Sequence, residues 1–174
     1  MRKVADAAGL TPMAIYRHFA DKEALLDALM LDGFSAWEAR IRAIRAKDPM
    51  QWLEALGEAF LDFALKEPRR YEAAFLLPAR KARRYPDDFV AGRSPVISSA
   101  YARIDEAKAK GILGDHHSAA EIALAFSALA QGLVSMYQAG RFVSEAEFRA
   151  AYRRVMRHCI LSFAKIQSPK RKPA

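Results

Sequence analysis

An all-α fold is expected from three observations. Apolar residues recur at spacings of three and four, as in Leu25, Leu29, Gly33, Trp37, Ile41 and Ile44, which marks a helix with one buried stripe. Glycine and proline are few, 8 of each, and many stand where helices would stop: Gly9, Pro49, Pro68, Pro78, Pro86, Pro95, Gly111, Gly114 and Gly140. No run alternates with period two for long enough to argue a strand. The pattern predicts helices near 1–8, 12–19, 22–46, 50–66, 69–77, 95–110, 118–139 and 144–165. It predicts a polar loop over 79–94, a disordered basic tail over 168–174 and no internal repeat.

The first two helices carry the most information. Val4, Ala5 and Ala8 share one apolar face of a short helix, which Gly9 would close in the left-handed conformation. Leu10 fills the turn, Thr11 offers an N-cap hydroxyl, and Pro12 takes the first helical position, where a missing N–H costs nothing. Ile15 and Phe19, four apart, would dock on the first helix. Pro12, Met13, Tyr16 and Arg17 face the other way, the geometry by which a recognition helix meets a major groove. Asp21 can cap a third helix that begins at Lys22. A cation there opposes the helix dipole, so a nearby phosphate explains it better than stability does. The plainer alternative is a helical hairpin that binds nothing, with Tyr16 half-buried and Lys22 solvated.

Later helices carry aromatic stripes. Trp52, Leu56, Phe60 and Phe63 recur at helical spacing, followed by Tyr71, Phe75 and Leu76. Tyr101, Ile104, Phe126, Leu129 and Met136 could complete an apolar and aromatic cavity with Trp52, Leu56, Phe60, Phe63 and Phe75. Taken singly, each of these reads first as core. The helix over 118–139 is rich in Ala, Gly and Ser, which lets a neighbouring helix approach closely.

Composition sets further bounds. The chain has 174 residues, 52% of them hydrophobic, enough for a core without disulfides or metals. A single cysteine, Cys159, cannot form an internal disulfide, so a reducing compartment, the cytoplasm, is expected. There is no signal-peptide pattern. The most membrane-like stretch, Ile122 to Tyr137, is short, alanine-rich and interrupted by Ser127, Gln131 and Ser135, so a buried helix and no membrane are expected. Net charge is +8, which often signals a polyanionic partner. The excess lies outside the first helices: residues 1–48 hold 8 basic against 7 acidic side chains, and residues 66–110 and 141–174 hold most of the surplus.

The spacing of Val4-Ala5, Ala8-Gly9-Leu10-Thr11, Ile15-Tyr16, His18-Phe19 and Lys22-Glu23-Ala24-Leu25-Leu26 resembles the TetR family of bacterial transcriptional regulators. The resemblance implies a TetR-like architecture. A helix-turn-helix and connecting helix would span 1–46, and an effector-binding and dimerisation domain 47–167. It implies a homodimer on palindromic double-stranded DNA, with residues at Thr11, Tyr16 and Lys22 holding phosphates and those at Arg2, Met13 and Arg17 near bases or phosphates. Pro12 and His18 complete the DNA-facing set. Arg2 and Arg17 suit guanine, and Met13 a thymine methyl. The resemblance also implies that the second domain binds a small apolar or aromatic effector. Its last two helices would pair two copies through Ala123, Ala130, Tyr137, Tyr152, Val155 and Met156; two core helices of a monomer are the alternative. TetR-type modules have a further helix ahead of the one that starts at Met1. Its absence is expected to expose Val4, Ile15, Phe19 and Leu25 and to mark a start assigned too late, a truncated product being the alternative.

The expected function is therefore a ligand-responsive dimeric transcriptional regulator, a repressor released by its effector. The alternative is a small-molecule-binding helical protein without DNA-binding activity, its helix-turn-helix being incomplete. Other clusters point to less. Arg80, Lys81, Arg83 and Arg84 could meet an anionic effector or DNA, but read first as a solvated loop. Asp115, His116 and His117 are too crowded to hold one metal ion well. No metal, cofactor or enzymatic constellation is expected. Cys159 reads as a buried, unreactive thiol.

Overall fold

The computed structural model describes residues 1–165, and among them the structure is helical apart from one isolated bridge between Leu113 and Ala164. The helices are α1 (Arg2–Ala7), α2 (Pro12–Tyr16), α3 (Lys22–Arg42), α4 (Pro49–Lys66), α5 (Pro68–Phe75), α6 (Asp87–Val90), α7 (Pro95–Ala109), α8 (Ala119–Gln138) and α9 (Glu145–Ser162). The expected tail over 168–174, with the last residues of the second domain, lies outside the described residues.

Local chemistry accounts for the starts. Proline occupies the first turn of α2, α4, α5 and α7, where its fixed φ suits the helix and its missing N–H is no loss. Side-chain oxygens of Thr11, Asp21, Asp48 and Ser144 accept first-turn N–H bonds. Ser118 and Glu121 form a reciprocal capping box at α8. The ends differ from expectation. α3 stops at Arg42 rather than near residue 46, where the N–H groups of Ala43 and Ile44 turn onto the Arg40 and Ile41 carbonyls and Arg45 Nη1 donates to the Arg42 carbonyl at 2.6 Å. α2 stops at Tyr16; the N–H groups of His18 and Phe19 both turn onto the Ile15 carbonyl. The expected loop over 79–94 contains α6, a single turn that is too short to leave a periodic signature.

α4 is the central pillar, packing on α3, α5, α7, α8 and α9. Its apolar side chains meet an aromatic knot. Trp37 stacks on Phe63 at 5.7 Å between ring centres and meets Phe60 edge-on, while Phe75 packs against Phe60 at 5.3 Å. Edge and offset geometries of this kind suit the ring quadrupoles. At the crossing of α3 and α5 the two backbones nearly touch. A Cβ on Gly33 would stand 2.6 Å from the Arg70 carbonyl oxygen and 3.0 Å from Ala74 Cβ.

α8 and α9 form a hairpin on the other flank, its turn packed by Tyr137 stacked on Phe148 at 4.4 Å. Tyr152, buried, donates its hydroxyl to the Gly57 carbonyl at 3.0 Å. A ladder of ion pairs runs outside it: Arg149 to Asp62 at 2.9 Å, Arg153 to Glu58 at 2.8 Å, and Arg157 to Glu54 at 3.8 Å. Each rung lies four residues from the next on both helices, as antiparallel helices in register require.

Candidate nucleic-acid interface and internal cavity

The front of the molecule is built by α1, α2 and the start of α3. Ala5 and Ile15 are buried where the two short helices meet. Gly9, at φ +66°, turns the chain between them, and the Leu10 N–H reaches the Ala5 carbonyl at 2.9 Å. That conformation favours glycine. Thr11 Oγ1 then accepts the Ala14 N–H at 3.2 Å, which orients α2. Arg2, Thr11, Met13, Tyr16, Arg17, His18 and Lys22 are all exposed, and Pro12 is partly so. Met13 is 68% and Tyr16 50% exposed, unusual for such side chains unless something covers them. Among the described residues, Arg2, Arg17 and Lys22 pair with no carboxylate, and so present free positive charge beside those apolar groups. Of the four positions expected to lie uncovered, Val4 does, but Ile15 is buried by α1 and Phe19 and Leu25 are partly buried.

Behind this surface, Arg80, Lys81 and Arg84 of the basic cluster are exposed, as a solvated loop would have them, while Arg83 is partly buried. Arg80 reaches Asp21, the N-cap of α3, at 3.2 Å and lies 3.7 Å from Asp27. The Lys81 N–H donates to Asp27 Oδ1 at 3.1 Å. Asp27 is only 5% exposed, so this pairing satisfies a carboxylate that burial would otherwise penalise. The same loop turns inward two residues on, where Ala82 and Arg83 join the wall of a cavity.

That cavity holds about 370 Å³ between α3, α4, α5, α7, α8 and the loop leading to α6. Of the ten residues expected there, Leu56, Phe60, Phe75, Tyr101, Ile104 and Phe126 line it. The other four do not. Trp52 lies in the first turn of α4 beneath the Arg103 guanidinium, and Phe63 is sealed against Trp37 on the far side of the core. Leu129 is partly buried away from the cavity. Met136 is 49% exposed, because it follows the buried Val134 by two residues, about 200° round the helix. Sequence reasoning missed Phe34 and Trp37, which α3 brings to the wall; for Trp37, its place in the α3 apolar stripe was the available signal. It also missed Tyr85, Phe89 and Ser94, which lie in or beside the stretch read as loop. Burial pushes the Tyr101 hydroxyl pKa up, and neighbouring Tyr85 adds to the shift.

The expected pairing residues of α8 and α9 require a correction. Ala123, Ala130, Tyr152 and Met156 are buried inside the protomer, where the first two line the cavity and Tyr152 bonds to α4. Tyr137 packs on Phe148 and only Val155 faces outward. The exposed side of the hairpin carries Leu124, Ala128, Gly132 and Met136, four apart along α8, with Val155 and Leu161 of α9; Leu124 and Ala128 also border the cavity.

Residues 53–159 match tetracyclin repressor-like C-terminal domains, and residues 1–29 match the bacterial regulatory proteins of the tetR family. The chain belongs to the TetR family. TetR proteins are regulators rather than enzymes, and the family generally binds DNA as homodimers. Among solved structures, the chain is similar to a protein of unknown function from Rhodococcus sp. RHA1, at 26% identity and a TM-score of 0.69. That match covers 94% of this chain and 84% of the other. It also shares its fold with a protein described as a regulatory protein, SCO4313, at 24% identity and a TM-score of 0.59, over 91% of this chain and 83% of the other. A search of curated proteins returned no match. In this TetR protein α8 is long and apolar enough to cross a membrane, yet it packs on α4, α7 and α9 as a core helix. Among the described residues no three potential ligands gather for a metal ion, and Asp115, His116 and His117 all face solvent. The Cys159 thiol is partly buried, which pushes its pKa up.

Proposed function

We propose that this TetR protein is a dimeric, ligand-responsive DNA-binding regulator of the cytoplasm. In this reading it represses from a palindromic operator and is released when a small apolar or aromatic effector fills the cavity. Thr11, Tyr16 and Lys22 hold phosphates, Arg2 and Arg17 read guanines, and Met13 meets a thymine methyl, with Pro12 and His18 alongside. The outer face of α8 and α9, rather than the residues buried beneath it, joins the two copies.

One observation carries the proposal. α3 is shared: it begins at Lys22 on the exposed basic front and, roughly 20 Å further on, contributes Phe34 and Trp37 to the cavity wall. A second tie runs through the loop that carries Arg80 onto the N-cap of α3 and Arg83 onto the cavity wall. An effector that prefers one position of this wall favours one position of the α3 start, and operator affinity changes by that difference.

The test is binding to DNA from the upstream intergenic region across a salt series, for the wild type and for Lys22→Ala and Tyr16→Phe. Wild-type affinity is expected to fall steeply with salt, and Lys22→Ala to lower the salt slope by about one. Affinities unchanged by either substitution would refute the phosphate assignments. Thermal stabilisation by apolar ligands with no salt-dependent DNA binding would favour a small-molecule-binding protein without DNA function.

A further inference from the structure

Among the residues that line the cavity, Arg83 alone is charged. The rest are apolar or neutral, and the wall holds no carboxylate that would neutralise it. Its guanidinium lies over the Phe34 ring at 5.0 Å. Its nearest carboxylate, Glu38, is 3.7 Å away at Nη2, beyond hydrogen-bond reach, and is shared with Arg42 at the same separation. Nη1 is buried with no hydrogen-bond partner. A buried, charged donor without an acceptor is costly, and an arginine fork matches the two oxygens of a carboxylate or other planar oxyanion.

The wall also holds neutral polar groups: Tyr85, Ser94 and Tyr101, and on α8 Ser127 and Gln131. Tyr85 follows Arg83 by two residues, and its phenol is close enough to raise the pKa of Tyr101. Ser94 is 4% exposed and sits at the N-cap of α7, yet its hydroxyl makes no cap bond and is free to donate elsewhere. Trp37, Phe60 and Phe75 add an aromatic wall, which Phe34 joins to the Arg83 guanidinium.

From this lone charge with an unpartnered N–H in an apolar wall we infer that the cavity takes an amphiphilic acid. Its carboxylate pairs with Arg83, and its apolar body lies against the aromatic and aliphatic side chains that make up most of the wall. The inference rests on the cavity being the effector site. A bound carboxylate would also draw on the arginine whose backbone neighbours, Arg80 and Lys81, hold Asp21 and Asp27.

The experiment is calorimetric titration of the full chain with decanoate and with decanol, for the wild type, Arg83→Gln and Arg83→Lys. Wild type is expected to bind decanoate about tenfold or more tighter than decanol. Arg83→Gln should erase that preference while leaving decanol affinity unchanged, which also shows the cavity still folded, and Arg83→Lys should keep part of it. Equal binding of both probes by the wild type, or a preference that survives in Arg83→Gln, overturns the acid assignment and leaves the effector cavity standing. Binding of neither probe overturns both.

Discussion

Gly33 shows how one absent side chain can define a contact. With 2.6 Å between a notional Cβ and the Arg70 carbonyl oxygen, the obstacle to any larger residue is main chain, which cannot rotate aside. Gly33→Ala is expected to destabilise the protein by ~1–3 kcal/mol despite alanine's better helix propensity, as measured by urea unfolding. Stabilisation instead would mean that α3 and α5 separate without cost. The glycine stood in the apolar stripe of α3 and was legible as a buried position, but the backbone lying against it was not. Sequence periodicity shows which face is inward and not how near the neighbour lies. The same limit explains Tyr152 and Met156. Both lie on an apolar face, and nothing in their spacing distinguishes a face covered by α4 from one left for a partner.

At the level of elements, helix starts were the most legible feature, because prolines and capping side chains act within one turn. Thr11-Pro12, Asp48-Pro49 and Ser118 with Glu121 each announce their helix. Ends were less so: α3 halts at Arg42 with no glycine or proline to mark it, and α6 is one turn long. The α4–α9 ladder could have been read, since Glu54, Glu58 and Asp62 and then Arg149, Arg153 and Arg157 recur at four. Asp62 of this ladder and Glu67, which pairs with Arg40 and Arg70 instead, contribute to the response to pH. Hydrogen bonds from Lys66, with Arg149 adding, hold Asp62 below its ordinary 3.8, and Arg40 and Arg70 hold Glu67 below 4.5. A depressed folded-state pKa contributes stability that is complete above the unfolded value and fades as pH falls through the folded one. The melting temperature is therefore expected to stay level with respect to these groups from pH 8 to about 5 and to decline below about 4. A loss already evident between pH 7 and 5 would show that other groups dominate.

Across the whole molecule, the α8–α9 hairpin presents an exposed apolar row in which Leu124 and Met136 stand with Ala128 and Gly132 between them. Patches of this kind mark association surfaces. Introducing a charge at its centre would leave that charge desolvated and unpaired in a two-fold interface, where each change is met twice. Met136→Glu is expected to shift the protein from dimer to monomer in sedimentation equilibrium and to weaken operator binding with it. Tyr152→Phe, buried within one protomer, should leave the oligomeric state alone. A dimer that survives Met136→Glu would place the contact elsewhere. The all-helical architecture and the family resemblance could be read from the chain. The cavity wall could be read only in part, because stretches far apart in sequence, from α3 to α9, supply it.

The near-contact of α3 and α5 has a mechanical consequence. Where two helices are spaced by side chains, a displacement of one can be taken up by rotamer changes and fade within a few ångströms. At Gly33 there is no such cushion. α5, which supplies Phe75 to the cavity wall, and α3, which carries Lys22 at its tip, act there like two beams bolted at a common point. Rearrangement at one end reaches the other as rotation of a stiff lever, undiminished by the packing between.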